Sequence, residues 1–221
     1  MRISWLGFCV ALAVVLLACA SPAAAEDMTI SLLGPSGSIS GFGTWDSSTK
    51  IFSLYLHFGL RDDDTLTIDS GVTLAMGEFY HIDLHNHGTI DNHGTISLRG
   101  GWLFNFNRGL IRNYGTIDNY GAILNHGTID NYGLIRNLDA TYSDIYNDGT
   151  INNYGTIDNG GTIDNDGTIT NFGGEITGNP VEGNPVVDSD YIPEFPTIAL
   201  PVASILGLLF LFNYRKRRKE D

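Results

Sequence analysis

A six-residue unit recurs between residues 86 and 177, and it restricts the possible folds more than any other feature of the chain. Each copy begins with Asn, has Gly third and usually carries Thr-Ile at its fourth and fifth positions. Strand side chains alternate between two faces, so a repeat of even length returns each residue type to the same face. One isoleucine in six residues forms no helical stripe, and recurrent Gly and Asn disfavour helices. Clean copies begin at Asn86, Asn92, Asn107, Asn113, Asn119, Asn125, Asn131, Asn147, Asn153, Asn159 and Asn165.

The alternation assigns the first, third and fifth positions of every copy to one face. Isoleucine at the fifth position then forms a continuous interior stack, and inward Asn side chains pass hydrogen bonds from coil to coil, which satisfies polar groups at the bends. Glycine at the third position is expected to adopt positive φ at the bend, which it tolerates. The repeat therefore predicts an all-β fold, a single-stranded parallel β-helix, also called a solenoid.

The six-residue period closes either with three copies per coil, as in the left-handed triangular β-helix, or with two copies in a flatter solenoid. Between residues 107 and 136, copies with Leu-Ile-Arg or Ala-Ile-Leu alternate with copies that carry Thr-Ile-Asp. This alternation favours a twelve-residue coil with two faces, which puts Arg112 and Arg136 opposite the repeat aspartates. Stacked like charges repel each other or recruit a cation. The aspartates that share one outward repeat position are Asp91, Asp118, Asp130, Asp158 and Asp164.

Two segments interrupt the period, residues 98–106 (LRGGWLFNF) and residues 137–146 (NLDATYSDIY). Insertions in solenoids form loops on one side, which is often the binding side. Trp102, Phe104 and Phe106 are therefore either a surface that stacks a ligand or the filling of an interior bulge. A second aromatic series occupies the exposed second position of the copies, where it either stacks sugars or packs between coils: Tyr114, Tyr120, Tyr132, Tyr154 and Phe172.

Residues 1–25 have the features of a secretory signal peptide. Arg2 supplies the positive start, an apolar run follows, and small residues precede a predicted cleavage site between Ala25 and Glu26. A lipoprotein-type signal, with Cys19 as the lipidated residue, is the alternative. Both cysteines of the chain lie inside this segment, so the mature chain is predicted to contain no disulfide and no thiolate metal site.

The rest of the chain divides into four segments. Residues 26–64 contain strand-like runs and turn signals and are predicted to form an N-terminal β cap, which covers the open edge of the solenoid. Residues 65–177 form the predicted β-helix. Residues 178–192 are rich in Pro, Gly and acidic side chains, which predicts a spacer without strand pairing. Residues 193–221 form a tail with its own pattern.

This tail has three parts in a fixed order. An uncharged run of eighteen residues, 197–214, has the length of a short membrane-spanning helix. The basic cluster after it is expected to stay in the cytoplasm, which places the rest of the chain outside. The motif before the run is Pro193, Glu194, Phe195 and Pro196, and the basic cluster is Arg215, Lys216, Arg217, Arg218 and Lys219.

The tail closely resembles the PEF-CTERM sorting signal of archaeal surface proteins. Pro193-Glu194-Phe195 carries the match, and the apolar run and the basic end follow in the same order and length. The resemblance implies processing by an archaeosortase, a membrane transpeptidase of the host cell, with the tail cut and replaced by a lipid. Without the family, the same residues predict a single-pass membrane anchor. Both readings put the solenoid on the outer surface of the cell.

Charge limits the partners. The whole chain has a net charge of −13, and residues 26–214 carry 6 basic and 23 acidic side chains, a net of about −17. This charge argues against nucleic acid, which requires a basic surface. The negative charge indicates either solubility in high salt or divalent-cation binding between neighbouring molecules, and a generic solvated surface is the alternative. No cofactor or metal site is predicted, with Ca²⁺ on the acidic surface as the alternative. Four histidines are assigned as surface residues, with a metal site as the alternative: His81, His85, His87 and His93.

No catalytic motif is recognisable, because nucleophile-elbow, phosphate-loop and zinc-binding spacings are all missing from the sequence. The chain is therefore predicted to be a non-catalytic structural or adhesive protein of the cell surface. Its expected partners are the membrane, an archaeosortase, and surface glycans or neighbouring surface proteins. A carbohydrate-active β-helix enzyme is the alternative. Ice or mineral binding by outward threonine rows is a third hypothesis, involving Thr116, Thr128, Thr156 and Thr168.

Overall fold

A computed structural model of the protein describes residues 25–77, 82–138 and 143–189. These residues form a parallel β-solenoid in which each turn contributes one strand to each of three sheets, named A, B and C. The all-β solenoid predicted from the repeat is confirmed. Apart from one 3₁₀ turn, Ser38–Gly41, every regular element in the described ranges is a short strand.

The strands of the three sheets have the following bounds. Sheet A contains β2 (Gly34–Ser36), β1 (Asp27–Ser31), β6 (Thr65–Ile68), β9 (Thr89–Asn92), β12 (Leu110–Asn113), β15 (Thr128–Asn131), β18 (Thr150–Asn153), β21 (Thr168–Asn171) and β24 (Val187–Asp188). Sheet B contains β3 (Gly43–Asp46), β4 (Ile51–Leu54), β7 (Thr73–Met76), β10 (Thr95–Leu98), β13 (Thr116–Asn119), β16 (Leu134–Asn137), β19 (Thr156–Asn159) and β22 (Glu175–Gly178). Sheet C contains β5 (Phe58–Leu60), β8 (Asp83–Asn86), β11 (Trp102–Asn105), β14 (Ala122–Asn125), β17 (Asp144–Asn147), β20 (Thr162–Asn165) and β23 (Val181–Gly183).

The prediction of two copies per coil is wrong, because three copies close each turn. Regular copies pair with the copy eighteen residues later, as in the register of Ile111 with Ile129. Between residues 107 and 136, copies with Leu-Ile-Arg or Ala-Ile-Leu alternate one by one with copies that carry Thr-Ile-Asp. A turn of three copies therefore stacks each copy of one kind on a copy of the other kind. Arg112 therefore lies between Asp91 and Asp130 in sheet A. A twelve-residue coil would instead have stacked aspartate on aspartate, which is electrostatically unfavourable.

The interior contains the isoleucines, as predicted. Ile117 is 0 % exposed, Ile129 is 1 % exposed, and the equivalent residues of the other turns are buried in the same way. Each isoleucine stacks on the apolar residue at the same position of the next turn. Burial of one such side chain contributes roughly 1.5–3 kcal/mol to the free energy of unfolding, so the core is the main source of stability.

Asparagine side chains form hydrogen-bonded columns inside the corners, which confirms their predicted role. Asn113 Nδ2 donates to Asn131 Oδ1 at 2.8 Å and to the Leu134 carbonyl at 3.0 Å, and Asn131 repeats the pattern one turn later. All donors in a column point towards the C-terminal end, so the amide dipoles align and the bonds reinforce one another. Asn86 and Asn92 are the first residues of two columns, and their Oδ1 atoms accept no hydrogen bond from the described residues. At the equivalent positions of the preceding turn lie Leu60 and Ile68, whose side chains have no donor.

The predicted reason for the repeat glycines is wrong. In the clean copies the third-position glycines are not among the residues with positive φ, whereas Gly173, in the irregular copy that begins at Asn171, has a φ of 73°. They are required by close approach instead: a Cβ on Gly133 would collide with the backbone carbonyl oxygen of Gly115 in the preceding turn. The amide of Gly133 donates to the Asn113 carbonyl at 2.8 Å, which draws the two corners together.

The first interruption forms a regular strand with extra residues at the corners. Leu103 of β11 faces inward and is 0 % exposed, whereas Trp102 and Phe104 face outward, so the interior-filler interpretation is wrong. Asn105 occupies the interior column and donates to Asn125 Oδ1 at 2.7 Å. Asn107, where a clean copy was predicted to begin, is instead an exposed corner residue.

The two ends differ from the predicted boundaries. Parallel pairing begins with β1, which pairs with β6, and β4 also pairs in parallel with β7, so winding starts before residue 65. Among the described strands, antiparallel pairing is confined to β1–β2 and β3–β4. The spacer assignment is wrong through residue 189, because β23 pairs with β20 and β24 with β21. Pro180 and Pro185 fit at corners, where the amides of Asn179 and Asn184 already donate to the preceding turn.

Candidate functional site

The outer surfaces of sheets A and B are polar and largely paired. Arg112 Nη1 lies 3.0 Å from Asp91 Oδ1 in sheet A. Arg136 makes two contacts with Asp118 in sheet B, Nε to Oδ1 at 2.7 Å and Nη2 to Oδ2 at 3.0 Å. The predicted column of stacked aspartates is wrong, as is the placement of the arginines opposite them. The repeat aspartates are distributed over three sheets, with Asp91 and Asp130 in sheet A, Asp118 and Asp158 in sheet B, and Asp164 in sheet C.

The outer surface of sheet C is aromatic and apolar. Its outward positions bring together His85, Trp102, Phe104, Leu124 and Tyr146, here called the sheet C face. The ring centroids of Trp102 and Phe104 are 5.7 Å apart, and the His85 ring meets Phe104 edge-on at 4.9 Å. Trp102 is 41 % exposed and Tyr146 is 44 % exposed. This face therefore presents a strip of rings to solvent.

Strand register explains how the strip forms. His85, Phe104, Leu124 and Tyr146 are successive partners across four neighbouring strands of sheet C. Neighbouring strands lie about 4.8 Å apart, so these side chains extend over about 14 Å. The sequence analysis grouped Trp102 with Phe104 and named His85 only as a surface histidine, but it did not connect these residues with Leu124 and Tyr146, which lie in separate copies. Their common signal is a spacing of about twenty residues, which has meaning only for a turn of three strands.

Carboxylates border the sheet C face. Asp83 is the partner of Trp102 in the preceding turn, and its Oδ2 lies 3.2 Å from His57 Nδ1. Tyr146 donates its hydroxyl proton to Asp144 Oδ2 at 3.2 Å, and the negative charge of Asp144, followed by burial, raises the pKa of Tyr146. No strand of sheet C contains Lys or Arg. The local charge therefore disfavours an anionic ligand.

A different aromatic column occupies the corner between sheets A and B. Its five rings stack face to face, with centroid distances of 4.8–4.9 Å and interplanar angles of 5–10°. Burial, followed by the charge of Asp130, raises the pKa of Tyr132 in the middle of the column. Both faces of each inner ring are covered, so this column packs between turns and leaves no inner ring face for a sugar. The members are His93, Tyr114, Tyr132, Tyr154 and Phe172. Tyr120 of the predicted series lies outside the column, at the corner between sheets B and C, and is 48 % exposed.

The remaining candidates from the sequence are separated in space. His87 stacks on Phe106 at 4.1 Å, and His93 belongs to the aromatic column at another corner. Within the described ranges, no three His, Cys, Asp or Glu side chains are grouped so that they could hold a metal ion. His81 lies outside these ranges. The threonine rows lie on two different sheets, with Thr116 and Thr156 in sheet B and Thr128 and Thr168 in sheet A.

Most residues of the predicted sorting and export signals lie outside the described ranges. This applies to the motif from Pro193 to Pro196, to the basic cluster from Arg215 to Lys219, and to residues 1–24. Ala25 and Glu26, which flank the predicted cleavage site, are described, and Glu26 is bonded into the cap. In the described residues, no helix is both long and apolar enough to cross a membrane.

Two family models match the chain. Residues 192–218 match the PEF-CTERM archaeal protein sorting domain. Residues 80–139 and 144–190 match the haemagglutinin repeat, and the second range extends to the end of the last turn. No curated protein and no solved structure matches the chain. The resemblance to a surface protein with a sorting signal and hexapeptide repeats is confirmed.

These matches define where the protein acts. The sorting domain implies archaeosortase processing and association with the membrane, and it lies at the C-terminal end. The chain is therefore an adhesin-like cell-surface protein anchored at its C-terminus. Both matched families, a sorting signal and a haemagglutinin repeat, are non-enzymatic.

Proposed function

We propose that the protein is a non-catalytic adhesin of the archaeal cell surface, and that the sheet C face is its adhesive surface, with neutral glycans as ligands. The observation that carries this proposal is the contrast between the three outer surfaces. Sheets A and B pair charges between successive turns, whereas sheet C exposes Trp102 and Tyr146. An exposed strip of rings on an otherwise polar surface is typical of an interaction site.

The chemistry of the strip favours carbohydrate. Rings that lie flat or tilted on a rigid sheet offer apolar surface to the C–H face of a sugar, and neighbouring polar groups accept its hydroxyl protons. Asp83 and Asp144 border the strip and supply such acceptors. The same carboxylates repel uronic acids and sulfated sugars, so uncharged polysaccharides are the expected class.

The experiment measures binding of the full chain to soluble neutral polysaccharides by titration calorimetry. We expect Trp102→Ala to weaken binding at least tenfold, because the ring supplies a large part of the contact, and tenfold corresponds to about 1.4 kcal/mol. Tyr132→Ala is the matched control, since Tyr132 is 44 % exposed but has both ring faces covered.

Three outcomes would contradict the proposal. Equal loss of binding in the two variants would show that aromatic content rather than the sheet C face matters. Absence of binding to every neutral glycan, with binding to a neighbouring surface protein instead, would replace the ligand class. Release of reducing ends during the titration would favour the carbohydrate-active enzyme over the adhesin.

A further inference from the structure

Asp64 differs from the other acidic residues that the structure describes. It is 3 % exposed, and among those residues it is the only carboxylate that falls within the buried core. It ends the loop that connects β5 to β6. A buried carboxylate is costly unless charged or polar donors satisfy it, so its partners indicate what the position is built to hold.

The donors around Asp64 come from two separate segments. Its Oδ2 accepts from the Arg61 amide at 2.9 Å and from Arg61 Nε at 3.0 Å. Its Oδ1 accepts from the backbone nitrogen of Glu26 at 2.9 Å and from Arg61 Nη2 at 3.3 Å. Burial alone raises the pKa of Asp64, but the bonds from Arg61 and Glu26 outweigh it and lower the pKa. The carboxylate is therefore held in its anionic form.

Glu26 is fixed independently of the residue before it. The amide of Thr65 donates to the Glu26 carbonyl at 2.9 Å, and the amide of Ser38 donates to Glu26 Oε1 at 2.5 Å. Ala25 is exposed, so the peptide bond at the predicted signal cleavage site lies at the surface beside a buried anion. The position of the Glu26 nitrogen therefore does not depend on the signal peptide.

We propose that Asp64 is the binding site for the α-ammonium group that signal removal creates on Glu26. Hydrolysis of the Ala25–Glu26 bond adds the hydroxyl of water to the Ala25 carbonyl carbon and hydrogen to the Glu26 nitrogen, which then takes up a proton. One neutral amide donor is replaced by a cation with three donors. A charge-assisted bond is shorter and about twice as strong as a neutral one, so processing locks the first strand onto the solenoid.

The charged groups around this nitrogen favour a cation. Among the described residues that bond to or interact with this group, Asp64 and the carboxylate of Glu26 itself are the anions and Arg61 is the cation. The Arg61 side chain is about half exposed, which screens its repulsion. Asp62 and Asp63 are exposed in the same loop, and Asp62 pairs with Arg108. Because anions outnumber cations here, the pKa of the α-amino group is expected to be raised.

The experiment compares two processed chains that differ only at the N-terminus, one beginning at Glu26 and one at Ala25. N-terminal sequencing of the exported protein comes first, and a terminus other than Glu26 would overturn the proposal. Near pH 6 we expect the chain that begins at Ala25 to melt about 3–6 °C lower, because it keeps an amide at Glu26. Equal melting temperatures would also overturn it.

The pH dependence distinguishes an ion pair from a packing effect. A raised folded-state pKa of the amine means that the added stability is present below the ordinary value of about 8. It is lost as the pH rises through the raised pKa, and also as the pH falls through the lowered pKa of Asp64. A melting difference that persists unchanged at pH 11 would contradict the ion pair.

Asp64→Asn keeps the shape of the site and removes its charge. In this variant the chains that begin at Glu26 and Ala25 are expected to melt at the same temperature. If the variant does not fold, Nα-acetylation of the Glu26 chain serves the same purpose, because it restores an amide. Titration of the ¹⁵N-labelled α-amine of the Glu26 chain by NMR then reports its pKa, and an ordinary value would refute the site.

Discussion

The interior and the outer surface of the solenoid follow different rules within the same turn. On the inside, Ile and Asn occupy the same positions in all three sheets from residue 110 to residue 165, and the earlier turns replace them with other buried apolar residues at several positions. On the outside, sheet A carries charge pairs, as does sheet B, while sheet C carries the aromatic sheet C face. Neighbouring turns lie about 4.8 Å apart, so the interior accepts little variation. The outer surface lacks this restriction and can therefore specialise.

The largest effect is expected for a charge in the interior column. Ile117→Asp places an unpaired carboxylate at a position that is 0 % exposed, which we expect to lower the free energy of unfolding by about 4 kcal/mol or more. Thr116→Asp is the matched control, since Thr116 is the preceding residue and faces outward. Circular dichroism and thermal melting measure both. An unchanged melting temperature of Ile117→Asp would contradict the assignment of Ile117 to the interior and with it the contrast between the interior and the outer surface.

A smaller effect is expected where only backbone approaches the corner. In Gly133→Ala the new methyl group would collide with the Gly115 carbonyl oxygen, which we expect to cost about 2–3 kcal/mol. In Gly59→Ala the nearest atom, His85 Cβ, is 3.8 Å from the new carbon, an ordinary contact. Urea unfolding of the two variants compares them directly. Equal urea midpoints would show that the corners tolerate a side chain and that the restriction on variation applies only to the strand interior.

The smallest effect is expected for the charge pairs on the outer surface. A double-mutant cycle with Arg136→Met and Asp118→Asn should give a coupling energy of about 0.5–1 kcal/mol, because the pair has two short contacts and its Arg136 side chain is 43 % exposed. Arg108 and Asp62 form a comparison pair with one contact and higher exposure, and their coupling is expected to be weaker.

Salt sharpens this third comparison. Screening at 1 M salt should reduce the coupling of the Arg136–Asp118 pair, because both groups reach solvent. A coupling energy above about 2 kcal/mol that does not change with salt would show that these two side chains are fixed as tightly as interior residues. The outer surface would then be less free to change than the contrast suggests.

Sequence reasoning was accurate for features that depend on neighbouring residues of one strand. Inward Ile117, inward Asn113 and outward Tyr114 all follow from alternation with period two. It failed at the interruptions, where Asn105 rather than Asn107 enters the interior column. Two extra residues at a corner preserve the strand while shifting the apparent start of the copy. Alternation alone cannot place such extra residues.

Only part of the candidate site could be predicted from the sequence, because alternation relates residues of one strand but not residues of different turns. Trp102 and Phe104 lie in one strand, so the sequence shows them together. His85 and Tyr146 join them through turn-to-turn pairing, and that pairing depends on how many strands close a turn. The preference for two copies per coil would have placed them on unrelated surfaces.

The local pattern of the chain was sufficient to establish that strands form, which side chains they bury and that the C-terminal end carries a sorting signal. These properties depend on residues close together in the sequence. The number of strands per turn, the pairing of Arg136 with Asp118 and the composition of the sheet C face depend on closure of the coil. The number of strands that close one turn depends on contacts at the corners and on charge pairing between turns. These contacts join residues far apart in the sequence, so only the tertiary structure decides them.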